Sequence, residues 1–130
     1  MTLVLLDTHA FVWAVSAPTR LGDDAIELIR DATNELLVST ATAWELGTKV
    51  RLGKFPEAEP IVSNYHSIVK RLGAIDMPVT GNQALAAGSL KWNHRDPFDR
   101  MLAAQAMGEN AVLVSKDRAF QQVAGLKLRW

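Results

Sequence analysis

Short, uniformly apolar runs recur along this chain, and segments with helical spacing separate them. A strand that is buried on both faces lacks the polar–apolar alternation of a half-exposed strand, so such runs predict inner strands of a parallel sheet. Strands that alternate with helices predict a central, mostly parallel sheet covered by helices on both faces, a three-layer α/β/α sandwich. The predicted strands are residues 3–6, 35–39, 74–77, 111–115 and 126–128, and the predicted helices are residues 10–18, 23–32, 41–52, 61–72, 82–90, 97–108 and 117–123.

The composition limits the kinds of fold and site that this chain can have. A chain of 130 residues that is 48% hydrophobic can bury one good core, so we expect residues 1–130 to form a single domain. The absence of cysteine excludes disulfides, thiolate nucleophiles and cysteine-ligated zinc. No apolar run is long enough to span a membrane, so we expect a soluble protein, and the lack of cysteine fits a cytoplasmic one. The net charge is zero, so any nucleic-acid site must be local.

Two acids stand at the ends of predicted strands. Asp7 directly follows the first strand, and Asp117 lies two residues beyond the strand predicted at residues 111–115. In open parallel sheets, ligand sites form beyond the carboxyl ends of the strands, where the loops converge. Neither position needs a charge for folding, so the pair predicts a functional site at this edge of the sheet.

Two more acids open the helix predicted at residues 97–108. Asp96 precedes Pro97, a residue suited to the first helical position, and Asp99 lies three residues after Asp96 on the same side of the helix. In the structural interpretation, Asp96 is the N-cap and Asp99 interacts with the helix dipole. In the functional interpretation, both carboxylates belong to an acidic site.

Glu45 also has two interpretations. Thr42 and Glu45 have the spacing of a capping box, in which each side chain bonds the backbone of the other. Glu45 also lies between Trp44 and Leu46 in a segment that is apolar enough to be buried, where a carboxylate needs a cation or a hydrogen-bond donor. We expect Trp44, like Trp13, to be a core residue rather than a platform for stacked bases.

Taken together, these acids predict a metal site. Clustered carboxylates raise one another's pKa unless a cation neutralises them, and oxygen ligands select Mg²⁺ or Mn²⁺. One such ion can activate water for phosphodiester hydrolysis, and a second can stabilise the leaving oxygen. The hydroxyl groups of Thr8, Ser39 and Ser115 would orient the ligands or, alternatively, cap helices.

The acids fall within four ordered motifs. These are residues 5–9 (LLDTH) with Asp7, residues 39–46 (STATAWEL) with Glu45, residues 94–106 (HRDPFDRMLAAQA) with Asp96 and Asp99, and residues 112–117 (VLVSKD) with Asp117. The set resembles the motifs of PIN domains, and among them the VapC-type toxins of prokaryotic toxin–antitoxin pairs. In this resemblance Asp99 is the better match to the third family acid, and Asp96 is an additional one.

The resemblance implies a ribonuclease that depends on one or two Mg²⁺ or Mn²⁺ ions. Its catalytic acids would be Asp7, Glu45, Asp99 and Asp117, with the metal held by Asp7, Asp96, Asp99 and Asp117. It further implies an RNA substrate, a homodimer and a cognate antitoxin that covers the active site. Arg95, Arg100 and Lys116 would contact RNA phosphates, although the two arginines could instead pair with nearby acids.

Alternative functions remain open at the level of sequence. An aspartyl-phosphate enzyme of the haloacid-dehalogenase type needs a second Asp two positions after the first, and His9 stands there. A PIN-like module that only binds RNA or protein would lack some of the acids, and none of the four is missing. A DNA- or structure-specific nuclease is disfavoured only by the small size of the chain. His9 and His94 flank acids, but hydrolysis by metal-activated water requires no protein base.

Overall fold

The computed structural model describes every residue from Met1 to Trp130. Its centre is a sheet of five strands, and every pair of neighbouring strands is parallel. The order across the sheet is β3-β2-β1-β4-β5. The strands are β1 (Leu3–Leu6), β2 (Glu35–Ser39), β3 (Ala74–Met77), β4 (Val112–Val114) and β5 (Lys127–Arg129).

Seven α-helices connect and cover the strands. They are α1 (Thr8–Ser16), α2 (Asp23–Arg30), α3 (Thr40–Arg51), α4 (Glu59–Ser63), α5 (Tyr65–Leu72), α6 (Gly81–Ser89) and α7 (Pro97–Gly108). The prediction of one helix at residues 61–72 was wrong, because the helix is interrupted at Asn64, whose side-chain amide donates to the Pro60 carbonyl. The short helix predicted at residues 117–123 is a 3₁₀ helix, Arg118–Gln122.

The inner strands β1, β2 and β4 are buried on both faces, as their uniform apolar runs predicted, whereas the edge strands β3 and β5 are partly exposed. Val4 and Leu6 of β1 point into a core that includes Phe11 of α1, whereas Leu5 packs on the opposite face with Leu102 of α7. Successive residues of one strand therefore serve two cores, which explains why the strand carries no polar residue. The predicted three-layer α/β/α sandwich is confirmed.

The strands are added to the sheet on both sides of β1, which lies in the middle. From β1 the chain adds β2 and then β3 on one side, and it later returns to add β4 and β5 on the other side. The junction between β1 and β4 is thus the point where the strand order reverses, and ligands of open α/β sheets bind beyond the strand ends at such a point. The amide of Asp7 donates to the carbonyl of Val114, 3.0 Å away, so the exits of β1 and β4 are joined there.

The tryptophans divide between core and surface. Trp13 is buried, as expected, and the ring of Trp130 packs edge-on against it with centroids 5.7 Å apart. The Trp130 backbone passes so close to Gly22 that a Cβ there would lie 2.5 Å from the Trp130 carbonyl carbon. Trp44 contradicts the expectation of a core position, because it is 63% exposed.

None of the helices has both the length and the apolar character that crossing a membrane requires.

Candidate active site

Asp7 lies at the exit of the central strand and is almost fully enclosed. Its side chain is the N-cap of α1, where Oδ1 accepts a hydrogen bond from the Ala10 amide at 2.8 Å. Only 8% of the residue is exposed. Capping explains one oxygen of the carboxylate, but it does not require a charge at a buried position, since neutral residues also cap helices.

Burial is the main influence on the pKa of Asp7. It raises the pKa from 3.8 to about 6, and the negative charges of Glu45 and Asp117 add to this effect. Hydrogen bonding by the Ser115 side chain and the Ala10 amide lowers the pKa and offsets part of the rise. A carboxylate in this situation is ionised near neutral pH at a cost in stability, and a bound cation would remove that cost.

Glu45 is buried beneath the same edge, in the second turn of α3, with 4% of its surface exposed. The Thr8 hydroxyl donates to its Oε1, and the Lys49 ammonium donates to its Oε2. Both oxygens therefore have partners. The capping-box interpretation of Glu45 was wrong, because Ser39 caps α3 by accepting from the Ala41 amide.

Asp96 and Asp99 approach from the start of α7. Asp96 is the N-cap, as predicted, and its Oδ1 accepts from the amides of Phe98 and Asp99 at 2.9 and 3.1 Å. The carboxylate of half-buried Asp99 lies 2.7 Å from Nε2 of His94. Burial, with the charges of Asp96 and Glu45, raises the pKa of Asp99 to about 6, although His94 counteracts the rise.

Asp117 lies beyond β4 and is exposed. Its side chain caps the following 3₁₀ helix by accepting from the Ala119 amide at 2.9 Å. Its own amide donates to the hydroxyl of buried Ser115, 3.1 Å away. Since Ser115 also interacts with the Asp7 carboxylate, this one hydroxyl connects the two strand-end acids.

The structure brings the predicted acids to one edge of the sheet. Glu45 is close enough to influence both Asp7 and Asp99, while Asp117 influences Asp7 and Asp96 influences Asp99. The hydroxyls also have separate roles: Thr8 donates to Glu45, Ser115 accepts from the backbone amide of Asp117, and Ser39 caps α3. Two separate parts of the fold, the carboxyl ends of the strands and the start of α7, thus contribute acids to one region.

The acids suit a divalent cation in their chemistry. All are hard oxygen donors, and burial raises the pKa of two of them, which is the environment that a cation would stabilise. No three of the His, Asp and Glu side chains, however, are arranged as a set of ligands for a metal ion. Protein donors occupy carboxylate oxygens instead, most clearly on Glu45, where the Lys49 ammonium supplies the positive charge.

The three predicted RNA-binding cations differ in their surroundings. Arg95 and Lys116 are exposed, and the Lys116 ammonium lies 5.8 Å from the centre of the Trp13 ring. The Arg100 guanidinium instead donates to five backbone carbonyls, which are those of Ala87, Gly88, Leu90, Trp92 and His94. Arg100 therefore holds the loop before α7, and its guanidinium is not free to bind phosphate.

Sequence reasoning did not assign partners to Glu45 or Asp99. Lys49 follows Glu45 by four residues on the same helix, and this spacing alone was a usable signal for the ion pair. The contact between His94 and Asp99 depends on the loop conformation, which the sequence does not indicate. Trp92 of the same loop packs between His94 and Phe120, and its buried indole N–H has no hydrogen-bond partner.

The PIN domain family matches residues 4–126 of this chain, which include all five acids. The chain belongs to the PIN-domain family. PIN domains are metal-dependent nucleases. Ribonuclease VapC22 of Mycobacterium tuberculosis is 31% identical to this PIN domain over 119 residues, which cover 91% of this chain and 89% of that relative.

Solved structures share the fold of this PIN domain. VapBC2 from Rickettsia felis, bound to a DNA fragment from its promoter, matches with a TM-score of 0.69 and 19% identity over 98% of both chains. DNA-bound VapBC from Salmonella typhimurium matches with the same TM-score and identity over 99% of this chain and 98% of that one. At this level of identity the likeness concerns the fold of the PIN domain.

Proposed function

We propose that this PIN domain is an endoribonuclease that depends on Mg²⁺ or Mn²⁺ and acts as the toxin of a toxin–antitoxin pair. The observation that carries the proposal is the acidic edge at the β1–β4 junction, where buried Asp7 and half-buried Asp99 both face the charge of Glu45. Two buried or half-buried acids whose pKa is raised, beside a third carboxylate, indicate a site that a cation completes.

Asp7, Asp96, Asp99 and Asp117 would hold one or two metal ions, and Glu45 would complete the catalytic acids. A bound divalent ion would supply Lewis acidity for phosphodiester hydrolysis. Asp96 has one carboxylate oxygen engaged as a helix cap and a second that makes no hydrogen bond within the protein. It can therefore serve as both cap and ligand, so the two interpretations of Asp96 do not conflict.

The surrounding residues fix the orientation of the acids. Thr8 and Lys49 hold one oxygen each of Glu45, which fixes the position of this carboxylate beneath the edge. His94 holds Asp99 in the same way. Arg95 and Lys116 are exposed beside Asp96 and Asp117, where they can hold the phosphates of an RNA strand that lies across the edge.

The proposed partners follow from the relatives. The M. tuberculosis relative is named a ribonuclease, and the structural neighbours are VapBC complexes. We therefore propose RNA as the substrate, a VapB-like antitoxin as the inhibitor, and a homodimer as the assembled toxin. In this proposal residues 1–130 act as one domain.

The test is cleavage of total bacterial RNA by the purified protein, freed of any co-purifying partner. Reactions contain Mg²⁺, Mn²⁺ or EDTA, and Asp7→Asn is the matched variant because asparagine can still cap α1. We expect discrete fragments with either metal, and none with EDTA or with the variant. If the folded wild-type protein cleaves nothing in either metal, the nuclease proposal fails and a binding module becomes the better interpretation.

A further inference from the structure

The loop before α7 contains Trp92, a residue that the catalytic proposal does not use. Its indole packs against the core that includes Leu102, and its N–H is buried without a hydrogen-bond partner in the protein. A buried donor that loses its hydration and gains no acceptor is a cost that a purely apolar side chain would avoid. Packing alone therefore does not account for an indole at this position.

The indole is wide enough to touch two other rings at once. One contact is a stack on His94, with ring centroids 4.5 Å apart and an angle of 21° between the planes. The other is with the buried ring of Phe120 in the 3₁₀ helix, with centroids 5.5 Å apart. Because Phe120 is fixed in the close-packed core, the indole is a firm support against which the imidazole of His94 lies.

The backbone of these two loop residues is held as well. The Arg100 guanidinium donates to the carbonyl of Trp92 at 2.7 Å and to that of His94 at 3.0 Å. A guanidinium is planar and rigid, so two bonds from it fix the relative placement of the two carbonyls. Trp92 and His94 are thus held together both by their rings and by their backbone.

His94 passes this constraint on to Asp99. Its Nε2 lies 2.7 Å from Oδ2 of Asp99, and because an ionised carboxylate only accepts hydrogen bonds, His94 is the donor. The exposed fractions of the two side chains are 28% for His94 and 20% for Asp99, so water competes weakly for this bond. The orientation of the Asp99 carboxylate therefore depends on where the His94 ring lies.

We propose that Trp92 is a positioning residue of the acidic site: by stacking on His94 it fixes the imidazole that orients the Asp99 carboxylate for a divalent cation. Without the indole face, the imidazole could rotate about its side-chain bonds and leave Asp99. Changes to groups that hydrogen-bond a metal ligand typically reduce metal affinity by about 10- to 100-fold. The inference rests on the proposed metal-dependent function and extends it to a residue outside the set of ligands.

Calorimetric titration of the partner-free protein with Mn²⁺ alone tests this role without RNA. Trp92→Leu should weaken Mn²⁺ binding by about 10- to 100-fold, while Trp92→Phe, which keeps an aromatic face for His94, should retain most of the wild-type affinity. Met107→Ala is the matched control, because Met107 packs against the same core at the other end of α7. It should lower the stability in urea and leave the Mn²⁺ affinity unchanged.

A double-mutant cycle tests whether Trp92 acts through His94. His94→Leu should weaken Mn²⁺ binding to a similar extent, and His94→Gln, whose amide can still donate to Asp99, should recover part of the loss. Once His94→Leu is present, Trp92→Leu should cause no further loss of Mn²⁺ affinity. Proton NMR gives a separate signature, because the chain has three histidines and Trp92→Leu should remove the ring-current shift that the stacked indole imposes on His94.

Wild-type Mn²⁺ affinity in folded Trp92→Leu would overturn the positioning role and leave the ribonuclease proposal intact. Full additivity of the two losses in the double variant would also overturn it, because Trp92 would then act independently of His94. If Trp92→Leu does not fold, His94→Leu decides, and unchanged Mn²⁺ affinity in that variant overturns the role.

The wild-type protein separates this inference from the proposed function. If it cleaves RNA but binds Mn²⁺ too weakly for calorimetry, the Mn²⁺ concentration for half-maximal cleavage replaces the affinity, and Trp92→Leu should raise that concentration by the same factor. An unchanged concentration would overturn the positioning role alone. If the wild-type protein neither binds Mn²⁺ nor cleaves RNA, both proposals fail.

Discussion

Replacing Asp7 with asparagine should stabilise the protein while removing its activity. Asparagine keeps the oxygen that accepts from Ala10, so the N-cap of α1 survives. What disappears is the buried charge of a carboxyl whose pKa rises from the ordinary 3.8 to about 6 on folding. That difference corresponds to about 3 kcal/mol of unfolding free energy at neutral pH.

The sign follows from proton binding. The pKa of Asp7 is raised, so between the unfolded and folded values the folded state holds the proton more strongly, and acidification favours folding at this group. The destabilisation by Asp7 is therefore complete above about pH 6 and disappears near pH 4. Because the new amide must also find an acceptor, such as the Ser115 hydroxyl, we expect a net gain of about 1–3 kcal/mol at neutral pH.

Urea denaturation in EDTA measures the effect. The gain of Asp7→Asn over the wild-type protein should be largest near neutral pH and should decrease towards about pH 4. Asp31→Asn is the control of opposite sign, because Thr33 lowers the pKa of exposed Asp31 and the loss of that charge should not stabilise the protein. A variant no more stable than wild type, with a difference that does not change with pH, would refute the assignment of a costly buried charge to Asp7. Mg²⁺ should raise the melting temperature of the wild-type protein more than that of the variant.

Three further predictions test other parts of the structure. Asp99→Asn should reduce RNA cleavage more than Asp96→Asn, since the asparagine at 96 keeps the capping oxygen and loses only its share in holding the metal. Equal and complete loss in steady-state assays would show that the metal-binding role of Asp96 is as essential as that of Asp99. Arg100→Ala should lower the unfolding free energy by about 2–4 kcal/mol in urea titrations, because loop carbonyls lose their donor, and an unchanged midpoint would contradict that role. Gly22→Ala should cost about 1–3 kcal/mol, because the new methyl group meets the Trp130 backbone; a thermal melt like that of wild type would show that this segment yields freely.

The strands were the most predictable part of the fold. Residues 3–6 are apolar at every position because both faces of β1 are covered, and a half-exposed strand would have alternated instead. The helices were predictable in number only approximately. The break at Asn64 interrupts an apolar pattern that continues across it, and it results from a local bond to the Pro60 carbonyl that periodicity does not encode.

The site was predictable in its acids and less so in their surroundings. Asp7 and Asp117 follow strands, so a parallel sheet places both at the same edge, and the pairing of β1 with β4 makes them neighbours. The exposure of Trp44 was not predictable, because the sequence alone does not show whether an aromatic residue at helical spacing lies in the core or on the surface. The role of Arg100 depends on where the end of α6 and the loop after it place five carbonyls, which is a property of the folded backbone.

The position of β1 between β2 and β4 has a consequence during synthesis. Chains emerge from the ribosome amino terminus first, and β1 can pair with β2 long before β4 is available. Asp7, however, acquires its neighbours Ser115 and Asp117 only when the segment after β4 has emerged and inserted beside β1. A partly made chain therefore displays the first acid without the last. The ribosome that makes this protein is itself built of RNA. It therefore does not meet a complete acidic site on the growing chain until β4 has joined the sheet.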